Sequence, residues 1–217
     1  MMAERRLRIT RFAACARLTG FASWDHAMNT SLEPPRRHRL TVADYYRMAE
    51  AGILRPDERV ELIEGEVIDM PPPGSRHAGA VDQLAEILRE AIGRRASLRV
   101  QNPIDLDPYS EPQPDVALLR PRADYYKSAH PRPADILLIV EVAQTSLQYD
   151  RDVKVALYAR HGVPEVWLLD LDNRRIARYR NPSRGGYASV DRPSIAEPLE
   201  IGALPGVRVE LGAVFSG

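Results

Sequence analysis

Ile136-Leu137-Leu138-Ile139-Val140-Glu141-Val142 is the stretch on which the fold turns. An apolar run this unbroken is the pattern of a central strand buried on both faces, not of a half-exposed strand that alternates. Its single charge, Glu141, is costly to dehydrate. An unpaired buried carboxylate destabilises a fold by several kcal/mol, so a neutralising group belongs beside it. The plain alternative is that the strand surfaces at this point and leaves Glu141 solvated or paired with an arginine.

Working outward, Asp115 follows Pro114 at the head of another apolar run, residues 116–119, and so opens a strand that can lie beside the one bearing Glu141. Residues 121–134 leave room for a loop and a short helix between the two. Two close carboxylates repel, and the usual remedies are a shared proton or a divalent cation. Alone, Asp115 would read as a turn-capping residue. Downstream, residues 147–160 read as a helix on which Asp150, Lys154 and Tyr158 share one face, with Val153, Ala156 and Leu157 packing. The Lys154 ammonium can then reach both carboxylates. In phosphodiester hydrolysis such a lysine orients the attacking water and stabilises developing charge, while a cation polarises the phosphoryl oxygen. The ordinary readings are a solvated Lys154 paired with Asp150 and a Tyr158 in partial packing. Glu61, among the apolar residues 60–63, and His77, near the start of a long helix, are further candidates. Their ordinary readings are an outward strand residue and a surface histidine.

The remaining elements fill out a mixed α/β (α+β) domain, a mixed sheet flanked by two main helices. Thr41 caps a helix ending near Gly52, and residues 59–63 and 66–70 form a hairpin pivoting on Glu64 and Gly65. After the break at residues 71–74, Ser75 caps an amphipathic helix carrying Val81, Leu84 and Leu88 and ending at Gly93. Residues 98–101, 104–106 and 165–171 read as strands, the last with a hairpin partner at 174–180 across Asp172 and Asn173. The tail, residues 187–214, holds short edge strands at most.

A chain of 217 residues with 44% apolar and 28% charged residues suits one packed domain, here residues 39–217. Thirty basic residues against thirty acidic ones give no net charge, so any nucleic-acid surface must be local. Cys15 is the single cysteine, which excludes an internal disulfide framework and fits a reducing, cytoplasmic setting. No apolar run approaches the roughly 20 residues that cross a bilayer, so no membrane association is expected. Residues 1–38, with Arg5, Arg6, Arg8, Arg11 and Arg17 but no secretory h-region, read as a disordered extension or a start-site artefact with Met28 as the true initiator.

The order Glu-Leu-Ile-Glu-Gly-Glu at 61–66, His77, Pro114-Asp115, Val140-Glu141-Val142, Ser146, Asp150, Lys154, Tyr158 and Gly-Val-Pro-Glu-Val-Trp at 162–167 resembles the Uma-type (Uma two) restriction endonuclease family, compact members of the PD-(D/E)XK nuclease superfamily. The similarity runs over about residues 40–180. It implies a restriction-endonuclease-like core in which Asp115 and Glu141 hold Mg²⁺ (or Mn²⁺), Lys154 acts on the water and Glu61 assists. His77, Asp150 and Tyr158 become accessory residues, DNA the substrate and a homodimer the working form. There are two departures. The superfamily's lysine stands two places after the acid, which is Ala143 here, so Lys154 would replace it from the next helix. Gln144-Thr145 stands where the branch often has Ser and Pro. The expected function is a metal-dependent endonuclease hydrolysing DNA. The alternatives are a non-catalytic nuclease-fold protein acting in binding or assembly, and a hydrolase of a smaller phosphoester. Arg120, Arg122, Lys127, Arg132 and Arg151 are candidates to line a DNA cleft, against an ordinary reading as solvated loop charge.

Overall fold

The computed structural model describes residues 37–216. The expected extension, the start-site reading at Met28 and Cys15 lie outside the described residues, save for Arg37 and His38 at the extension's end. Helix α1 (Val42–Glu50) begins where expected, because Thr41 and Asp44 cap each other: the Asp44 N–H donates to Thr41 Oγ1 at 3.1 Å and the Thr41 N–H to Asp44 Oδ2 at 2.9 Å. Strands β1 (Val60–Ile63) and β2 (Glu66–Asp69) pair antiparallel as a hairpin separate from the main sheet. Its turn places Glu64 and Gly65 at φ 51° and 85°, both left-handed, as a two-residue hairpin turn demands. Helix α2 (Ser75–Ile92) differs at its start, since Gly74 and not Ser75 is the N-cap and no side chain closes it. The chain leaves the proline run extended and enters the helix directly.

Six strands form the main sheet in sequence order: β3 (Ser97–Val100), β4 (Val116–Leu119), β5 (Ile136–Ala143), β6 (Glu165–Asp170), β7 (Arg175–Ser183) and β8 (Gly186–Asp191). Every pairing is antiparallel except β5 with β6. A parallel pair needs a crossover. It is supplied by α3 (Leu147–Tyr149), a π-helical turn (Asp150–Lys154) and α4 (Val155–Arg160). Strand β5 is buried along its whole length, as its composition requires. Leu138, Val140 and Val142 face Val81, Leu84 and Leu88 of α2, while Ile139 belongs to the opposite core with Leu157 and Tyr158 of α4. By alternation Glu141 points to that second face, beneath the crossover.

Residues 104–106 are not a strand. Ile104 and Leu106 are buried, but their segment bonds piecemeal, to Pro112 and Ser110 carbonyls and, through Asp105, to Pro131. Pro103, Pro108 and Pro112 each remove a donor that a ladder would use. The short helix expected within 121–134 is also missing, with only a 3₁₀ turn (Pro133–Asp135) near there. The tail is more regular than expected, because β8 pairs with β7 as a full strand at the sheet edge, followed by a two-stranded ladder of β9 (Leu199–Glu200) and β10 (Arg208–Val209). Among the described residues no helix is long and apolar enough to cross a membrane.

Candidate active site

The antiparallel register of β4 and β5 pairs Val116 with Val140 and so brings Asp115 beside the end of β5. There the Val142 N–H donates to Asp115 Oδ2 at 2.9 Å, and the Asp115 N–H faces Glu141 Oε2 at 3.4 Å. Glu141 is 2% exposed, so the strand does not surface at its charge.

The crossover supplies the cation. Ser146 Oγ donates to Asp150 Oδ2 at 2.6 Å just before the helix widens into its π turn. Such turns shift the register of everything after them, which is why they recur at functional sites. Here the shift carries Lys154 inward, 5% exposed, with Nζ 2.9 Å from Glu141 Oε1 and 3.5 Å from Glu61 Oε2. The Tyr158 hydroxyl donates to the same Glu141 oxygen at 2.6 Å. Glu61, 1% exposed, is fixed in turn by the Gln113 N–H at 3.0 Å. From the first turn of α2, His77 Nε2 stands 3.3 Å from Asp115 Oδ2, and Gln101 Nε2 donates to Asp115 Oδ1 at 3.1 Å.

All seven residues singled out in the sequence therefore gather at one place. Six of them, Glu61, His77, Asp115, Glu141, Asp150 and Lys154, line a cavity of about 390 Å³, and Tyr158 stands behind Glu141. The ordinary readings of Glu141, Glu61, Lys154 and His77 as exposed side chains do not hold, since none of the four is exposed. Sequence reasoning missed Tyr149, which lines the same cavity with a buried hydroxyl that has no hydrogen-bond partner among the described residues. A helical wheel drawn at 3.6 residues per turn could not find it, because the π turn breaks the periodicity one residue later. Gln101 and Gln113 were missed as well, and no signal in their sequence context marks them.

The charges do not balance. Glu61, Asp69, Asp115, Glu141 and Asp150 line the pocket against Arg59, Lys154 and His77. Burial pushes Glu141 up to about 8, with Asp115 and Asp150 adding repulsion against the pull of Lys154. Asp150 is raised too, again chiefly by burial. Burial also opposes ionisation of Asp115, but its hydrogen bond from His77, the Lys154 charge and the Val142 N–H outweigh it and leave that carboxyl lowered. Burial alone would lower Lys154; the carboxylates of Glu141, Glu61, Asp150 and Asp115 overcome it and hold the ammonium charged. His77 is raised, first by its bond to Asp115. Burial, with the neighbouring carboxylates adding to it, thus favours the protonated form of Glu141.

That imbalance, and a donor set made of carboxylate oxygens, fit a hard divalent cation. Among the described residues no three His, Cys, Asp or Glu side chains form a ready-made metal cluster. A cation that keeps several waters and uses one or two carboxylates, as Mg²⁺ does, needs none. Asp115 and Glu141 are the adjacent pair.

A model of the Uma2 family, described as a putative restriction endonuclease, matches residues 42–212. The chain belongs to the Uma2 family. The matched span contains every residue of the Uma2 pocket described above. Among solved structures, a putative nuclease from Anabaena variabilis is similar with a TM-score of 0.64 at 15% identity, covering 82% of this chain and 98% of that one. The likeness shows the fold, a nuclease-type mixed sheet flanked by helices, as the sequence resemblance implied. No curated protein matches the chain. In this Uma2 chain Ala143, two places beyond Glu141, is buried and uncharged, and the amine beside Glu141 comes from Lys154 on the crossover.

Proposed function

We propose that this Uma2 protein is a metal-dependent endonuclease that hydrolyses DNA phosphodiester bonds, working as a cytoplasmic homodimer. The observation that carries the reading is the convergence of Asp115, Glu141 and Lys154 in one pocket whose carboxylates outnumber its cations. Asp115 and Glu141 would hold Mg²⁺ or Mn²⁺. Bound there, the ion would polarise a phosphoryl oxygen and acidify a water. Lys154, kept charged by its four acidic neighbours, orients the attacking water and offsets negative charge as it grows on the phosphoryl oxygens. Glu61 and Tyr158 fix the positions of Lys154 and Glu141 by their contacts with the Glu141–Lys154 pair. His77 and Gln101 hold the two oxygens of Asp115 in one orientation. Asp150, tied to Ser146, adds to the negative field that draws a cation in. The homodimer rests on the family resemblance and is checked by sedimentation. The cytoplasmic setting rests on the single Cys15.

Supercoiled plasmid with Mg²⁺ or Mn²⁺ tests the assignment. The wild type should nick or cut it, EDTA should stop the reaction, and Asp115→Ala and Glu141→Ala should each abolish it. Equal cleavage by the wild type and both variants would expose a contaminant and overturn the assignment. Absence of cleavage, with the fold intact, would leave the non-catalytic alternative standing.

A further inference from the structure

A second cavity, of about 400 Å³, opens along β3 at the free edge of the main sheet, lined by Arg89, Ser97, Arg99, Asn102, Tyr125 and Tyr126 among others. Successive residues connect it to the acidic pocket, Asn102 lining the groove and Gln101 the pocket. Strand β3 continues into Gln101, which lines that pocket and donates to Asp115. Arg99 stands two residues earlier within β3, which ends at Val100 before the left-handed turn at Gln101 (φ 48°).

The arginines expected to line a DNA cleft are largely spent elsewhere. Arg122 pairs with Asp124 at 2.6 Å, Arg151 with Asp152 at 2.7 Å and Arg132 with Asp105 at 3.4 Å. Arg99 differs. Its Nη1 is shielded from water yet has no hydrogen-bond partner among the described residues, and no carboxylate is among the groups there that perturb it. A guanidinium held half-buried with an unused donor is set up for an anion, and its planar fork suits a phosphate. Arg89 of α2 flanks the same groove from an exposed position.

On the other flank Tyr125 and Tyr126 sit in succession at φ 52° and 60°, a left-handed backbone that bulky residues seldom adopt. Surrounding contacts impose it. The Tyr125 N–H donates to the Arg122 carbonyl at 3.0 Å, the Tyr126 N–H to Asp124 Oδ1 at 3.1 Å, and the Tyr126 hydroxyl to the Arg120 carbonyl at 2.7 Å. Arg122 also stacks 4.2 Å above the Tyr126 ring. The result buries Tyr126 and leaves Tyr125 73% exposed at the groove. An exposed ring beside guanidinium groups is the pairing that holds a strand of nucleic acid with unstacked bases.

We infer that this edge groove is a subsite for a single-stranded stretch of the substrate, with Arg99 and Arg89 holding phosphates and Tyr125 stacking a base next to the reacting bond. The inference rests on the nuclease reading of the adjoining pocket and refines its substrate class.

The test measures binding apart from turnover. An Asp115→Ala background, in EDTA, is titrated with a fluorescent single-stranded oligonucleotide and with the same sequence as a duplex, over a salt series. Adding Arg89→Ala with Arg99→Ala should weaken single-strand binding at least about tenfold. It should also flatten the slope of log K against log salt by about 1.4, for two phosphate contacts. Tyr125→Ala, at an exposed site that leaves the fold intact, should weaken single-strand binding about fivefold or more without changing that slope, and should leave duplex binding alone. Unchanged affinity and slope in the double variant, or equal effects of Tyr125→Ala on both ligands, would overturn the groove. Plasmid cleavage by the otherwise native protein is scored separately. Cleavage with an inert groove sinks this inference alone, whereas groove-dependent binding without cleavage sinks the nuclease reading and retains the strand subsite.

Discussion

Replacing Glu141 with glutamine should leave the fold almost as stable as before while removing its activity. Both strong contacts of the carboxylate, from Tyr158 at 2.6 Å and Lys154 at 2.9 Å, end on the same oxygen, Oε1. A glutamine whose carbonyl takes that position keeps both. Its amide then replaces Oε2 and meets the Asp115 N–H, donor against donor, where the present contact is a weak 3.4 Å. Losing it costs about 1 kcal/mol. Against this, repulsion with Asp115 and Asp150 disappears, and burial, which raises Glu141 to about 8, already favours its neutral form in the metal-free protein. The two effects nearly cancel, so the net change should stay within about 1 kcal/mol. Lys154→Met is the contrast. It leaves Glu61, 1% exposed, without the ammonium 3.5 Å away and takes the donor from Glu141 Oε1, at a cost of about 3–5 kcal/mol. Urea unfolding in EDTA at pH 7 reads both variants, and plasmid cleavage should fall at least about a hundredfold in each. If Glu141→Gln unfolds as readily as Lys154→Met, Glu141 is one half of a structural ion pair and the reasoning fails.

Other outcomes follow from the same geometry. Tyr149→Phe removes a buried hydroxyl that has no partner among the described residues, so stability should hold or rise by up to about 1 kcal/mol while cleavage drops about tenfold; equal loss of both would make Tyr149 a packing residue. Burial raises Glu111 from 4.5 to about 7, so the folded form binds the proton more tightly than the unfolded chain. Its contribution to stability is therefore complete below about 4.5 and is lost as pH rises through about 7. Glu111→Gln should flatten the fall in the urea midpoint between those pH values, and an unaltered slope would assign the effect elsewhere. Gly65→Ala should cost about 1–3 kcal/mol, because the turn holds φ at 85° and the new Cβ would meet Arg39 Cβ at 2.6 Å. A thermal midpoint equal to wild type would show that the turn can yield.

Much of this architecture can be read directly from residues, and the failures have physical causes. Strand β5 declared itself through an apolar run with one charge, and the pairing of its end with Asp115 follows from two strands joined by a loop of the right length. Periodicity failed where the period itself changes. The expected continuous helix over residues 147–160 is broken by the π turn at Asp150–Lys154, so the face bearing Asp150, Lys154 and Tyr158 is buried instead of merely amphipathic, and Tyr149 joins the cavity unannounced. Ile104 and Leu106 looked like strand residues because they are buried, and burial alone does not make a ladder when prolines on either side withhold donors. Arg99 and Arg89 carried no local signal at all. What distinguishes them is the lack of a neighbouring acid for Arg99 and the shared groove, which depend on residues distant in sequence.

Titration calorimetry with Mn²⁺ bears most directly on the central claim that Asp115 and Glu141 form a cation site. The wild type should bind the ion at one site per chain with release of protons at pH 7, since Glu141 must give up its proton to coordinate, and Asp115→Asn and Glu141→Gln should each abolish that binding while remaining folded. Heat that is absent from the folded wild type, or identical in all three proteins, would contradict the account.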